Sequence, residues 1–458
     1  MIQIPSWELI RKYDRPGPRY TSYPTAPEFS TDFGPAAFER HLARAEAAGG
    51  PLSIYVHLPF CREMCRFCGC NVVATHDRTR ADAYLDLLEK EIALVAAKLP
   101  TRRTVTQLHW GGGTPTFLDE KQLVRCHEMI ARHFAFAKDA EKAIEIDPAI
   151  TTRSQIETLA RLGFNRISMG VQDFDAKVQE VVGRIQGEKE TADLVQAARD
   201  NGFRGVNLDL IYGLPYQTPE TWKDTLRRIV TIHPDRLAVF GFAYVPWSKP
   251  HQRLLPQEAL PKTQQRVELF LAAVEAFTSS GYRLIGLDHF ALESDELAVA
   301  QQGGYLYRNF QGYTVRPAPD TIAFGMTSIS DIGGAYAQNA HKLKDWGDRV
   351  AAGTIPVERG IPMTDDDVLR RFVINRVMCL LRVDLKEVEE RFGKPSRDAI
   401  EADLKAGVKE LQDDGLVTFD GTLLRVTPLG QLLVRNVAML FDAYLKKEGA
   451  KRQFSRTV

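Results

Sequence analysis

Four of the six cysteines in this 458-residue sequence fall within ten consecutive positions, "CREMCRFCGC" from Cys61 to Cys70. In a compartment that keeps thiols reduced, such crowding points to metal binding or redox chemistry rather than to a disulfide staple. The spacing is Cys61-x3-Cys65-x2-Cys68, with Cys70 one residue past Gly69. Three thiolates can hold three irons of a [4Fe–4S] cluster and leave the fourth iron open to bind and activate a ligand. The short step from Cys68 to Cys70 makes it hard for both to reach separate corners of one cubane. A structural zinc site is the alternative reading. It usually takes two separated pairs of ligands, and a single ten-residue run suits it less.

Two further stretches could carry chemistry beside the cysteines. "GGGTP" (Gly111–Pro115) lets backbone groups approach a ligand closely, although a tight strand–helix turn would use the same residues. Glu145 in "IEID" ends an apolar strand, where a carboxylate can accept hydrogen bonds from hydroxyls. Taken alone it would more often be a surface or salt-bridged residue.

The elements that position these residues alternate regularly. "LSIYVHLP" (Leu52–Pro59) reads as a buried strand that runs straight into the cysteine loop, and Ala81–Leu99 reads as an amphipathic helix. Strands follow at Val105–Trp110, Lys142–Pro148, Arg166–Val171, Gly205–Pro215 and Arg236–Pro246, each with helical periodicity after it. Six strand–helix units imply a parallel sheet with crossover helices. Six is short of an eight-fold barrel, so the expected fold is α/β, an open, partial (three-quarter) TIM-like (β/α)6 barrel. Loops at the C-terminal ends of such strands carry the chemistry. Residues 1–50 read as an N-terminal arm, 51–290 as the partial barrel, 291–359 as a barrel extension and substrate-site segment. Residues 360–458 read as a mainly helical, winged-helix-like domain, with a hairpin turning at Asp420-Gly421 and a closing helix over Gln431–Lys447.

Composition excludes some partners. There are 59 basic and 59 acidic residues, so no global field draws in nucleic acid or membrane. The first twenty residues lack the apolar core of a signal peptide, and no apolar run approaches the ~20 residues that span a bilayer. The expectation is a cytoplasmic enzyme whose partners are small molecules, with no nucleic acid and no membrane, working as a monomer.

The motif C-x3-C-x2-C in the first βα loop is the signature of the radical S-adenosylmethionine (SAM) superfamily. The string "YVHLPFCREMCRFCGC" resembles the oxygen-independent coproporphyrinogen III oxidase family, also called coproporphyrinogen III dehydrogenases. So do "PGPRYTSYPTA", "LHWGGGTPT", "RISMGVQDF", "DLIYGLPYQTPE", "GLDHFA", "RNFQGYT" and "FSRTV". The resemblance implies that Cys61, Cys65 and Cys68 ligate one [4Fe–4S] cluster per chain and that Cys70 does not. It implies two SAM sites. Tyr55 and Ile329 match contacts to the first, Gly112 lies in the turn used for its methionine end, and Glu145 would meet its ribose. Phe67, Gly113, Thr114, Gln172, Arg184, Asp209 and Ala243 match contacts to the second. Without the match, Tyr55 would read as core and Arg184 as a solvated helix charge.

The implied reaction is oxidative decarboxylation of two propionates of coproporphyrinogen III to vinyl groups, giving protoporphyrinogen IX in haem biosynthesis. A 5′-deoxyadenosyl radical generated from SAM would take a hydrogen from the propionate β-carbon. A separate electron donor is required. No catalytic residue is assigned by position. Arg19 and Arg308 are candidates to meet propionates, Tyr20, Tyr23, Phe310, Gln311 and Tyr313 to pack on pyrroles, and His289 to donate a proton. The proline- and aromatic-rich arm reads as a lid over the substrate. A radical SAM haem chaperone or haem-modifying methyltransferase would share the core. An iron–sulfur redox sensor with a DNA-binding winged helix is the non-enzyme alternative, disfavoured by the neutral charge and the lack of a basic recognition helix.

Overall fold

The computed structural model describes residues 5–447 and 454–457. Met1–Ile4 of the arm and the last residue of "FSRTV" lie outside them. The chain forms two compact units that cut across the boundaries expected from sequence. One contains Phe29–Ser280 and Ala318–Pro362; the other contains Met1–Glu28, Gly281–Pro317 and Met363–Val458.

The first unit opens with helix α1 (Pro35–Ala48). The alternation then runs β1 (Leu52–Leu58), α2 (Thr79–Ala96), β2 (Thr104–Gly112), α3 (Glu120–Ala131), β3 (Ala135–Ile146) and α4 (Arg153–Arg161). It continues with β4 (Arg166–Gln172), α5 (Ala176–Val182), α6 (Glu188–Asp200), β5 (Gly205–Tyr212), α7 (Pro219–Ile232), β6 (Arg236–Gly241) and α8 (Thr263–Ser279). Strands β1 to β6 lie side by side in chain order, and all five pairings are parallel. Helices cover the outer face of such a partial barrel, and burial alternates along β3 to β5. Helix starts are equally local: Asp119, Thr152 and Thr218 each accept a bond from the N3 backbone N–H and complete a capping box.

The sheet extends beyond the six expected strands. A seventh parallel strand, β7 (Asp320–Phe324), pairs with β1 on its free edge, and β8 (Ile329–Ile332), β9 (Ala335–Asn339) and β10 (Val357–Pro362) follow antiparallel. Helix α9 (Leu343–Ala351) lies between the last two in sequence.

A buried carboxylate fixes the turn between β7 and β8. Glu91 of α2 is 1% exposed. It accepts bonds from Gly325 N (2.9 Å), Trp346 Nε1 (3.0 Å) and Asn339 Nδ2 (2.6 Å). Asn339 also donates to Gly325 O and Ser328 Oγ. Gly325 has φ +92°, and a Cβ there would meet the Tyr84 hydroxyl and the His57 carbonyl, so glycine is required. Burial pushes Glu91 up to about 7 despite its three donors. The folded state therefore keeps this proton to higher pH than the unfolded chain, whose value is 4.5. The resulting stabilisation is complete below pH 4.5 and is lost as pH rises to about 7. Denaturant titrations of the parent and Glu91→Gln across that window should show the parent losing stability relative to the variant, by up to ~1.4 kcal/mol per pH unit.

The second unit has its own core, formed by the helices Asp365–Leu380, Leu385–Phe392 and Lys394–Asp413 and a three-stranded sheet. The expected hairpin is present: Val417–Phe419 pairs antiparallel with Leu423–Val426. The expected closing helix is broken into Pro428–Gln431 and Val434–Met439. Leu433, Val434, Arg435, Asn436, Val437, Ala438 and Phe441 are all buried, so no polar helical face exists there. The arm also differs from expectation. Tyr13, Tyr20 and Tyr23 belong to this core rather than to a mobile cover.

Candidate active site

The cysteine loop leaves the C-terminal end of β1 and is tied down by backbone bonds. Thr75 N donates to Cys61 O at 2.9 Å, and Cys68 N to Cys65 O at 3.1 Å. Arg66 donates from its backbone N and its Nη1 to Val182 O and Val181 O, both at 2.9 Å, which anchors the loop on the end of α5. Gly113 N and Thr114 N donate to Leu58 O and Phe60 O, closing the "GGGTP" turn against the loop. A Cβ on Gly113 would lie 2.6–2.7 Å from backbone atoms of Pro59 and Phe60. Gly113→Ala must therefore shift the base of the loop. It should lower the iron retained per chain and the melting temperature together, which iron analysis and calorimetry check.

One cavity collects most of the residues singled out from sequence. Cys61, Cys65, Phe67, Cys68, Gly112, Gly113, Thr114, Glu145, Gln172, Arg184 and Asp209 all line it, as does Cys70. Tyr55, Ala243 and Ile329 do not line it, yet each is tied to it. Tyr55 stacks on His109 with ring centroids 5.8 Å apart. His57 Nε2 lies 2.9 Å from Asn71 O, which only accepts, so that nitrogen carries the proton and the Tyr55 hydroxyl donates to Nδ1 at 3.2 Å. Ala243 O shares the Gln252 amide with Phe67 O. Ile329 follows the Gly325–Ser328 turn, whose Thr327 hydroxyl accepts from Asn71 Nδ2 at 2.7 Å.

Electrostatics divide the cavity wall. Glu145 takes a bond from His109 Nε2 (3.0 Å) and one from Gly112 N (3.2 Å). Burial works to raise its pKa, but the His109 and Gly112 contacts win and hold the carboxyl below its usual range. Arg184 follows the left-handed Gly183 that ends α5. Its Nη2 pairs with Asp147 Oδ1 (3.0 Å) and donates to Gly170 O (2.8 Å), and its Nη1 lies 3.8 Å from Cys65 Sγ. Arg184 thus stands beside a cysteine of the loop, a closeness its distance in sequence conceals. Asp209 accepts from Ser168 Oγ and Asn207 Nδ2. Gln172 closes β4 in the left-handed region at φ +68°, a strained conformation for a non-glycine residue. Burial pushes the Cys61 thiol up to about 11, with the Thr114 hydroxyl 3.5 Å away partly offsetting it. The Cys70 thiol, hydrogen-bonded to Cys68, draws the Cys68 thiol down to about 6.

Sequence reasoning missed Asp147, Ser168, His109 and Asn71. Their partners are fixed by the sheet, and no local spacing announces them.

The radical SAM superfamily matches residues 55–229, and the HemN C-terminal domain matches residues 363–433. An oxygen-independent coproporphyrinogen III oxidase of Escherichia coli is 45% identical over 459 residues, covering 100% of both chains. The chain belongs to the oxygen-independent coproporphyrinogen III oxidase family. The family's protein from Pseudomonas aeruginosa is 42% identical, again over 100% of both chains. The solved structure of coproporphyrinogen III oxidase from Escherichia coli, described as a radical SAM enzyme, superposes with a TM-score of 0.91 at 44% identity. That superposition covers 97% of this chain and 99% of the other. The protein is therefore an oxidoreductase of the radical SAM type, with the partial-barrel fold and the [4Fe–4S] and SAM cofactors that type carries.

The donor set fits those cofactors. Among the described residues, no three His, Cys, Asp or Glu side chains converge on a single ion. Several thiols lining one cavity suit a cluster that takes one thiolate per iron. The second unit holds a charged group of its own. Arg308 donates to Arg19 O at 2.8 Å and lies 5.0 Å from the Tyr313 ring centroid. His289 Nδ1 donates to Asp288 at 2.8 Å. Burial would raise Asp288, but His289, Arg308 and Arg19 hold it down at about 2. Among the described residues, no helix is long and apolar enough to cross a membrane.

Proposed function

We infer that this chain oxidatively decarboxylates two propionates of coproporphyrinogen III to vinyl groups, without oxygen, giving protoporphyrinogen IX. The observation that carries this reading is the cavity lined by Cys61, Cys65 and Cys68 in a chain that aligns end to end with the family. We assign Cys61, Cys65 and Cys68 as the cluster ligands. Tyr55, Gly112, Glu145 and Ile329 hold the first SAM. Phe67, Gly113, Thr114, Gln172, Arg184, Asp209 and Ala243 hold a second.

When bound, the cluster and SAM together supply a primary carbon radical able to take hydrogen from the β-carbon of a propionate. The protein's task is to bind, orient and exclude solvent. Glu145, kept ionised by His109 and Gly112 N, accepts from ribose hydroxyls. Arg184, neutralised by Asp147 and engaged through Nη2 with Gly170 O and through Nε with Gln186, leaves an Nη1 hydrogen to meet a SAM carboxylate. Asp209, fixed by Ser168 and Asn207, presents an acceptor for hydroxyl or ammonium groups. A loop this dense in cysteines supports a reaction in the reducing cytoplasm, with a separate reductant as partner.

Anaerobic incubation of the reconstituted protein with dithionite, SAM and coproporphyrinogen III tests the reading. Conversion of both propionates to vinyls is expected. Cleavage of SAM with the macrocycle unchanged would overturn it.

A further inference from the structure

The outer side of the cysteine loop is gripped by one short segment that the reaction described above does not use. Phe67 to Asn71 form no regular secondary structure, so their carbonyls must find partners elsewhere. Three of those partners come from Lys249 and the 3-10 turn Pro250–Leu254 that follows it. Lys249 Nζ donates to Cys70 O at 3.0 Å and to Asn71 Oδ1 at 2.9 Å. His251 Nε2 donates to Cys68 O at 2.8 Å. Gln252, itself 1% exposed, donates from Nε2 to Phe67 O at 3.1 Å and to Ala243 O at 3.2 Å. Its Oε1 accepts from Val245 N at 2.6 Å, which locks the amide orientation. Of the five carbonyls from Phe67 to Asn71, Gly69 alone lacks such a side-chain partner among these bonds, since Asn71 O is held by His57.

We propose that Lys249, His251 and Gln252 are positioning residues that strap the cysteine loop into its cluster-binding shape, and that the Lys249 ammonium favours the reduced cluster. The proposal rests on the assignment of Cys61, Cys65 and Cys68 as ligands. Cys68 is the last of them, and its two neighbours in the grip, Phe67 and Cys70, flank it closely. A loop with loose carbonyls would spread its thiols over many arrangements. A strap that fixes the carbonyls selects one before any iron arrives, as outer-shell partners do at other metal sites. A cation at this edge also opposes the negative charge that three thiolates and an added electron bring together, and charge and hydrogen bonding around a cluster set its potential.

The test uses full-length Lys249→Met, Lys249→Arg and the double variant Lys249→Met/His251→Phe. Lys249 is half-buried, so the first change keeps its packing stem and removes only the ammonium. In cluster-free protein, losing these bonds should speed hydrogen exchange of amides 65–73 in the double variant by roughly ten-fold, with the rest of the sheet unchanged. In reconstituted protein, a chelator should strip iron faster from the double variant. The midpoint potential of Lys249→Met should move negative, and Lys249→Arg should return it to the parent value. Exchange and iron loss unchanged from the parent would overturn the strap, and an unchanged potential in Lys249→Met would overturn the electrostatic role. If the parent itself takes up no cluster, the ligand assignment fails, while the exchange measurement still decides whether the strap exists.

Discussion

Changing Cys61, Cys65 or Cys68 to Ser should each remove the cluster and abolish turnover, whereas Cys70→Ser should keep its iron and sulfide. On the proposed assignment each of the three thiolates supplies the protein's single bond to one iron, so none could compensate for another. The loop itself should survive the change. Its backbone is held by Thr75, Arg66, His251 and Lys249 rather than by sulfur, so circular dichroism should match the parent. The loss is then one of metal binding and not of folding. Iron and sulfide analysis with the visible absorption spectrum checks it. A Cys70→Ser protein without iron, beside a Cys68→Ser protein with it, would reverse the assignment.

Removing residues 1–28 should unfold the C-terminal helical unit and leave the cysteine-bearing unit with its cluster. Tyr13, Tyr20 and Tyr23 are 3%, 5% and 2% exposed within that helical core. The Tyr13 hydroxyl donates to Asp414 at 2.6 Å, the Tyr20 hydroxyl donates to Asp442 at 2.9 Å, and the Tyr23 hydroxyl accepts from Ala443 N at 3.0 Å. Emptying one buried aromatic site costs about 3–5 kcal/mol. Three such losses are comparable with the whole stability of a domain, about 5–15 kcal/mol. The buried Arg435 would also lose its acceptors Gly17 O and Pro18 O. Limited proteolysis should cut within residues 363–447 first, while iron content stays near that of the full chain. Tyr20→Phe, which deletes one hydrogen bond, should fold and cost only about 1–3 kcal/mol. A truncated protein whose helical unit resists proteolysis would show that the arm is dispensable.

Sequence made the local features legible. Cysteine spacing declares a ligand set without reference to the fold, and the apolar runs of β1 to β6 declare buried parallel strands. β7 was hidden because Asp320–Phe324 is only five residues long and its partner β1 lies far back in the chain. The broken closing helix was hidden because its residues are buried on every side, which destroys the helical period. At the site, Tyr55, Ala243 and Ile329 came only through the family resemblance. Nothing about a strand tyrosine, a loop alanine or a strand-end isoleucine marks them. Lys249, His251 and Gln252 were missed for a related reason. They act on backbone carbonyls, and a carbonyl has no sequence signature.

The pairing of the arm with the far end of the chain also sets an order of events during synthesis. Pro16 bridges to Arg456, Gly17 N donates to Ser455 O, and Thr457 N donates to Arg15 O. The arm leaves the ribosome before the barrel strands, yet its partners follow only after them. At translation rates of about 5–20 residues per second, three apolar tyrosines wait roughly 20–80 s for the surface that covers them. Within that interval the whole of the other unit, Phe29–Ser280 with Ala318–Pro362, emerges and can fold before residues 363 onward are made. The nascent arm is accordingly the stretch that a holdase chaperone would protect, and a slow-growing cell would have to protect it longest.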